Sequence, residues 1–145
     1  MIDLDAPPAE LYAQIIALED EVLEELMGDL EARERIIDVL IGHLAGRLRA
    51  DRAAGLDAVI HVKLWDRPGG GYDHRELIIR DGRCTASERP SEEPRLTLKV
   101  RPDDLRKIVT GETGPKRLAF RGRLRAVGDV RLGWGLSDMF DLSTA

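Results

Sequence analysis

The chain has 145 residues, a formal net charge of -5, 43% hydrophobic residues and one cysteine, Cys84. This length fits one domain with a real core, and a lone cysteine excludes an intramolecular disulfide. No apolar run approaches the ~20 residues that span a bilayer, and acids rather than bases follow Met1, so the chain reads as a cytoplasmic protein without a secretory signal.

The charge is uneven. Residues 1–32 contain ten Asp or Glu and no Lys or Arg, whereas the remainder is basic. Pro7 and Pro8 suit a helix start. Leu11, Ile15, Leu18, Val22 and Leu26 then recur at helical spacing, predicting one acidic amphipathic helix over residues 1–28. Its stripe should be buried against the body or in a homodimer. Residues 29–145 form the second unit. Asp29 can cap a helix carrying Ile37, Leu40, Ile41, Leu44 and Leu48, stopped at Gly55. Gly42 and Gly46, one turn apart, allow another element to approach closely.

The period then becomes two. Ile60, Val62 and Leu64 alternate with His61 and Lys63, which predicts a strand with those two residues facing outward. Residues 65–71, rich in glycine, connect it to a returning strand with Leu77 and Ile79 inward. Asp81-Gly82 marks a turn, and residues 83–88 a third strand. After a polar loop, Leu96, Leu98 and Val100 alternate in a fourth. Pro102, Asp103 and Asp104 open a helix with Leu105 and Ile108. A short helix follows Pro115. A fifth strand runs from Arg121 to Val127, and an apolar helix from Val130 to Phe140. The expected fold is α+β: a five-stranded, predominantly antiparallel sheet with helices packed on one face, enclosing an apolar pocket.

Chemistry-bearing patterns are sparse. His43, His61, His74 and Cys84 lack zinc-site spacing, so no metal is expected. Asp73 and His74 adjoin on a hairpin, an arrangement that seldom converges on one substrate. Gly69-Gly70-Gly71 lacks the Lys-Ser/Thr pair of a phosphate loop. Arg121, Arg123 and Arg125 alternate, either as the solvent face of a strand or as a contact for anionic membranes. The absence of flanking aromatic platforms argues against nucleic acid. No cofactor and no catalytic residue are read.

Gly111, Pro115, Gly122, Arg123, Leu124, Gly128 and Asp129 share their spacing with the closing pattern of the sterol-carrier-protein-2 type of lipid-binding domain. An apolar helix follows in both. Val62 to Asp66, Asp81-Gly82, Thr97-Leu98 and Asp104-Leu105 add upstream matches, so the chain resembles that family over residues 34–142. It departs at Leu118 and Ala119, which replace an Ala-Phe pair and shift the aromatic to Phe120. It also departs at Gly114, which replaces Asn, and at Arg75, near a frequent Trp.

The resemblance implies non-catalytic binding or transfer of a fatty acyl chain, sterol-like lipid or other apolar metabolite. The expected lining is Ile60, Val62, Leu64, Leu77, Ile79, Leu96, Leu98, Leu105, Ile108, Phe120, Leu124, Leu132, Trp134, Leu136 and Phe140. Gly133 and Gly135 weaken the last helix by about 1 kcal/mol each, which suits a movable wall. Two alternatives stay open: a dimerisation module with a collapsed pocket, and an accessory enzyme acting on a hydrophobic substrate.

Overall fold

A computed structural model describes residues 2–142. The elements are α1 (Pro8–Ile16), α2 (Asp20–Leu26), α3 (Leu30–Gly46), β1 (Ala58–Leu64), β2 (Asp73–Arg80), β3 (Arg83–Ser87), β4 (Leu96–Val100), α4 (Pro102–Val109), α5 (Pro115–Phe120), β5 (Leu124–Gly128) and α6 (Val130–Met139). The strands form one sheet in the order β3-β2-β1-β4-β5. All neighbours are antiparallel except the central pair, β1 and β4. The α+β architecture and the predominantly antiparallel sheet are as expected.

The period-two reading places the inner face correctly. Ile60, Val62, Leu64, Leu96, Leu98 and Leu124 are all buried. The inner face of β2 is different, because Asp73 and Arg75 stand opposite Leu64 and Val62. Both point at α3. Arg33, 1% exposed, gives its Nε–H to Asp73. Its terminal nitrogens donate to the carbonyls of Leu64, Trp65 and Asp66. One turn on, Asp38 accepts from Arg75 at 2.6 Å. Two ion pairs of opposite polarity thus staple α3 across β2. Arg33 and Asp73 are desolvated together, the condition under which a buried charge is tolerated, whereas Asp38 meets the buried Arg75 from a half-exposed position. Asp73, expected on an exposed hairpin, is therefore part of the interior.

The N-terminal stripe needs correction. It forms two helices, not one, broken at residues 17–19. Leu11, Ile15 and Leu23 enter the core, while Val22 is 42% exposed. The break has a partner: Arg106 of α4 donates to the carbonyls of Ile15 and Leu18 at 3.0 and 2.8 Å and to Asp20 at 2.7 Å. A guanidinium seated on the last carbonyls of α1 satisfies acceptors that the helix leaves open. α3 ends at Gly46, nine residues before Gly55, so Leu48 lies beyond it. Nothing approaches the positions a Cβ would take at Gly42 or Gly46, so no close packing is made there.

Gly128 and Asp129 turn the chain from β5 into α6. Gly128 has φ 109°, and a Cβ there would sit 2.6 Å from the Arg95 carbonyl oxygen. Asp129 accepts from the Leu132 amide at 3.2 Å, capping α6, and pairs with Arg95 at 2.9 Å. The far end of α6 is held by a bridge between Leu48 and Phe140.

Asp73→Ala should lower unfolding free energy by about 3–5 kcal/mol, because it strands the Arg33 guanidinium in the core. Urea unfolding measures this. A loss under about 1 kcal/mol would show that the pair is not a staple.

Candidate functional site: an apolar cavity under the terminal helix

Between the inner face of the sheet and the helices lies a cavity of about 40 Å3. Of the expected lining, Ile60, Val62, Leu77, Leu98, Leu105, Ile108, Leu124, Leu136 and Phe140 surround it. Leu44, Val100, Pro115, Ser137 and Leu142 complete the wall; the sequence reading missed these five, although the inward period already implied Leu44 and Val100. Leu64, Ile79, Leu96 and Leu132 are buried but stand outside the lining. Ile108, Pro115, Ser137, Phe140 and Leu142 also border an open groove of about 310 Å3, whose rim carries Arg49 and Thr113. Those five shared residues separate the cavity from the groove.

Two expected lining residues face elsewhere. Phe120 is 95% exposed, and Trp134 is 46% exposed with the Lys116 ammonium 5.8 Å from its ring centroid. Helix geometry explains Phe120. Leu118 is the buried residue of α5, and two steps of about 100° carry Phe120 to the opposite side. The arginines separate as well. Arg123 is engaged by Asp104 at 3.0 Å and Asp103 at 3.4 Å, whereas Arg121 and Arg125 are exposed.

The opposite face of the sheet holds a polar chain that the sequence reading did not find. His61 faces outward as expected but is only 6% exposed. Its Nε2 lies 3.1 Å from the Glu76 carboxylate, and its Nδ1 lies 2.9 Å from His74 Nε2. The β3–β4 connection folds over this point, and the Ser91 and Glu92 amides each donate to Glu76 at 3.0 Å. The cross-strand pairing of His61 with Glu76 was the missed signal. Burial pushes the Glu76 carboxyl up, but the Glu92 and Ser91 amides, His61 and the Ser91 hydroxyl together hold it below its ordinary value. Burial pushes the Cys84 thiol up to about 12, which disfavours the reactive thiolate. Among the described residues, no group of His, Cys, Asp and Glu could hold a metal ion, and no helix is long and apolar enough to cross a membrane.

Residues 41–141 match the model of the SCP-2 sterol transfer family. The chain belongs to this family. Among curated proteins none matches. Sterol carrier protein 2 of Yarrowia lipolytica is 19% identical, with a TM-score of 0.54 over 72% of this chain and 86% of that one. Sterol carrier protein 2 of Aedes aegypti, solved in complex with the C16 fatty acid palmitate, is 16% identical, with a TM-score of 0.50 over 66% of this chain and 89% of that one. The inverting sec-alkylsulfatase Pisa1 of Pseudomonas sp. is 20% identical, with a TM-score of 0.59; the match covers 74% of this chain but 16% of the sulfatase. These likenesses show the SCP2 fold, and family membership supports lipid binding in general.

The imidazoles set an acid limit on stability. His43 is held below its ordinary 6.5 by burial and then by Arg47. His74 is held below it by burial and then by His61 and Lys63. The unfolded chain therefore takes up protons first, and stability present above about pH 6.5 should be lost as pH falls towards the lowered folded values. The depressed Glu76 adds a loss beginning below about pH 4.5, complete once pH has fallen through its folded value. Urea midpoints at about pH 7.5, 5.5 and 4 measure the slope. An unchanged midpoint between the first two would contradict it.

Proposed function

We propose that this SCP2 domain is a non-catalytic carrier of one acyl chain or similarly apolar metabolite, held under α6 with its polar end at the groove. One observation carries this reading: the cavity wall is apolar, with Ser137 its one polar residue, and a groove whose rim bears Arg49, Thr113 and Asp141 lies directly against it. The wall holds no titratable side chain to act as acid or base, so Ser137 has no partner in it that would activate its hydroxyl. The palmitate complex of the mosquito relative suggests the ligand class. The cavity, at about 40 Å3, is far below the ~300–1,000 Å3 of ligand sites, so binding requires α6 to move outward. Transient contact with anionic membranes would use the edge formed by α5, β5 and α6. There Phe120, Val130 and Trp134 are exposed beside Lys116 and Arg121; Arg123 is already neutralised, and Arg125 stands on the outer face of the sheet.

The closed cavity favours one alternative, an interaction module whose interior never opens. Leu11, Ile15 and Leu23 are consumed in the chain's own core, so a homodimer through this segment would rest on Ile16, Val22 and Leu30.

A fluorescent fatty acid should bind with one site per chain. Leu136→Glu and Leu124→Glu should weaken it at least about a hundredfold, because a buried unpaired carboxylate costs several kcal/mol. Circular dichroism must first show each variant folded. A folded wild type that binds no apolar probe would replace the carrier reading with the interaction module.

A further inference from the structure

The outer face of the sheet carries a second constellation, on the far side from the cavity. His74 pairs across the ladder with Lys63, Lys63 with Lys99, and Lys99 with Arg125. Four basic side chains thus run in one row over β2, β1, β4 and β5, neighbours being roughly 5 Å apart. Like charges directly opposite one another destabilise a sheet. This chain pairs most of its arginines: Arg33, Arg75, Arg80, Arg95 and Arg123 each meet a carboxylate. Lys63, Lys99 and Arg125 meet none among the described residues. The two ammonium groups instead close on one exposed ring, 5.7 and 5.8 Å from the centroid of Tyr72.

The buried polar chain ends at this row. His61 Nε2 bonds the Glu76 carboxylate, and His61 Nδ1 shares one hydrogen bond with His74 Nε2, its donor set by the tautomers. With its Nε2 so engaged, His74 has its Nδ1 without a protein partner among the described residues. In the imidazolium form that nitrogen is a donor beside Lys63.

We propose that Lys63, Lys99, Arg125 and His74 form a binding site for a soluble ligand bearing two or more phosphate groups. Several fixed cations without counter-charges match a polyvalent oxyanion. Two phosphates in line suit positions one strand apart better than a single carboxylate does. A membrane headgroup would supply the same chemistry, but a bilayer against this face would lie on the side of the sheet away from the cavity. The site takes a soluble diphosphate for that reason. It is independent of whether the cavity carries a lipid.

Binding is coupled to a proton. Burial, His61, Lys63 and Arg75 hold His74 below its ordinary value, and Glu76 acts in the opposite sense. An oxyanion at the row adds to the effect of Glu76, so His74 gains a proton as the ligand binds, and affinity rises as pH falls.

The test is titration of the full chain with inorganic pyrophosphate, followed by NMR of the backbone amides and the His74 ring. The expected result is saturable binding at one site, with shifts confined to the row and an upward move of the His74 titration midpoint. Lys63→Gln and Lys99→Gln should each weaken binding about tenfold or more. Arg121→Gln, exposed but off the row, should change it less than about twofold. Without pyrophosphate, both lysine variants should melt no lower than wild type, since each relieves a like-charge contact. Equal weakening by Arg121→Gln would overturn the proposal in favour of diffuse surface charge. So would unsaturable binding, or binding seen only with phosphatidylserine vesicles. A lowered melting temperature of both lysine variants would assign the row to the fold instead.

Discussion

The arrangement depends on one buried cation. Arg33 leaves α3, crosses to the sheet and bonds the Asp73 carboxylate together with the carbonyls of Leu64, Trp65 and Asp66. It therefore fixes the end of β1, the start of β2 and the connection between them against one helix. Such a group is costly to desolvate and is tolerated only when every donor is used in good geometry. With α3 pinned to β2 there, and again through Asp38 and Arg75, the β2 side of the molecule is stapled. The apolar space is displaced towards β4, β5 and α6, where the ion pairs of Arg123 with Asp104 and of Arg95 with Asp129 sit at the ends of the strands.

That asymmetry separates a rigid half from a yielding one. α6 is ten residues long and contains Gly133 and Gly135, so it is a poor helix by itself. Its support comes from the Asp129 cap, the bridge at Phe140 and the burial of Leu132 and Leu136. The cap and the bridge hold its two ends, while its middle rests on apolar contacts and on Trp134 beside Lys116. Leu136 and Phe140 both line the cavity, so an outward shift of α6 enlarges it without breaking the sheet.

The period of two was enough to find β1, β2 and β4 and their inward residues, because burial of one face forces that alternation. The same period puts Arg75 and Asp73 on the inward face with Leu77 and Ile79, but it could not reveal what tolerates their charge there, since their partners lie on α3, about 40 residues earlier in the chain. It misjudged His61 for a related reason. The residue does face outward, but a later loop covers it, and loop placement leaves no periodic trace. The N-terminal segment was read as one helix because its apolar spacing continues through residues 17–19; the break is set by Arg106, a distant residue. The family pattern placed the shifted aromatic, Phe120, in the lining, yet Leu118 occupies that direction in α5. The glycine-aspartate turn was legible as a pattern, and its reason, the Arg95 carbonyl against Gly128, became visible only in three dimensions.

The central claim is that the closed interior opens by movement of α6. Hydrogen exchange of residues 130–139, measured with and without palmitate, tests it most directly. The account predicts that α6 amides exchange well before those of α3 in the free protein, and that palmitate slows them while leaving α3 unchanged. Exchange of α6 as slow as that of α3, and indifferent to palmitate, would contradict it.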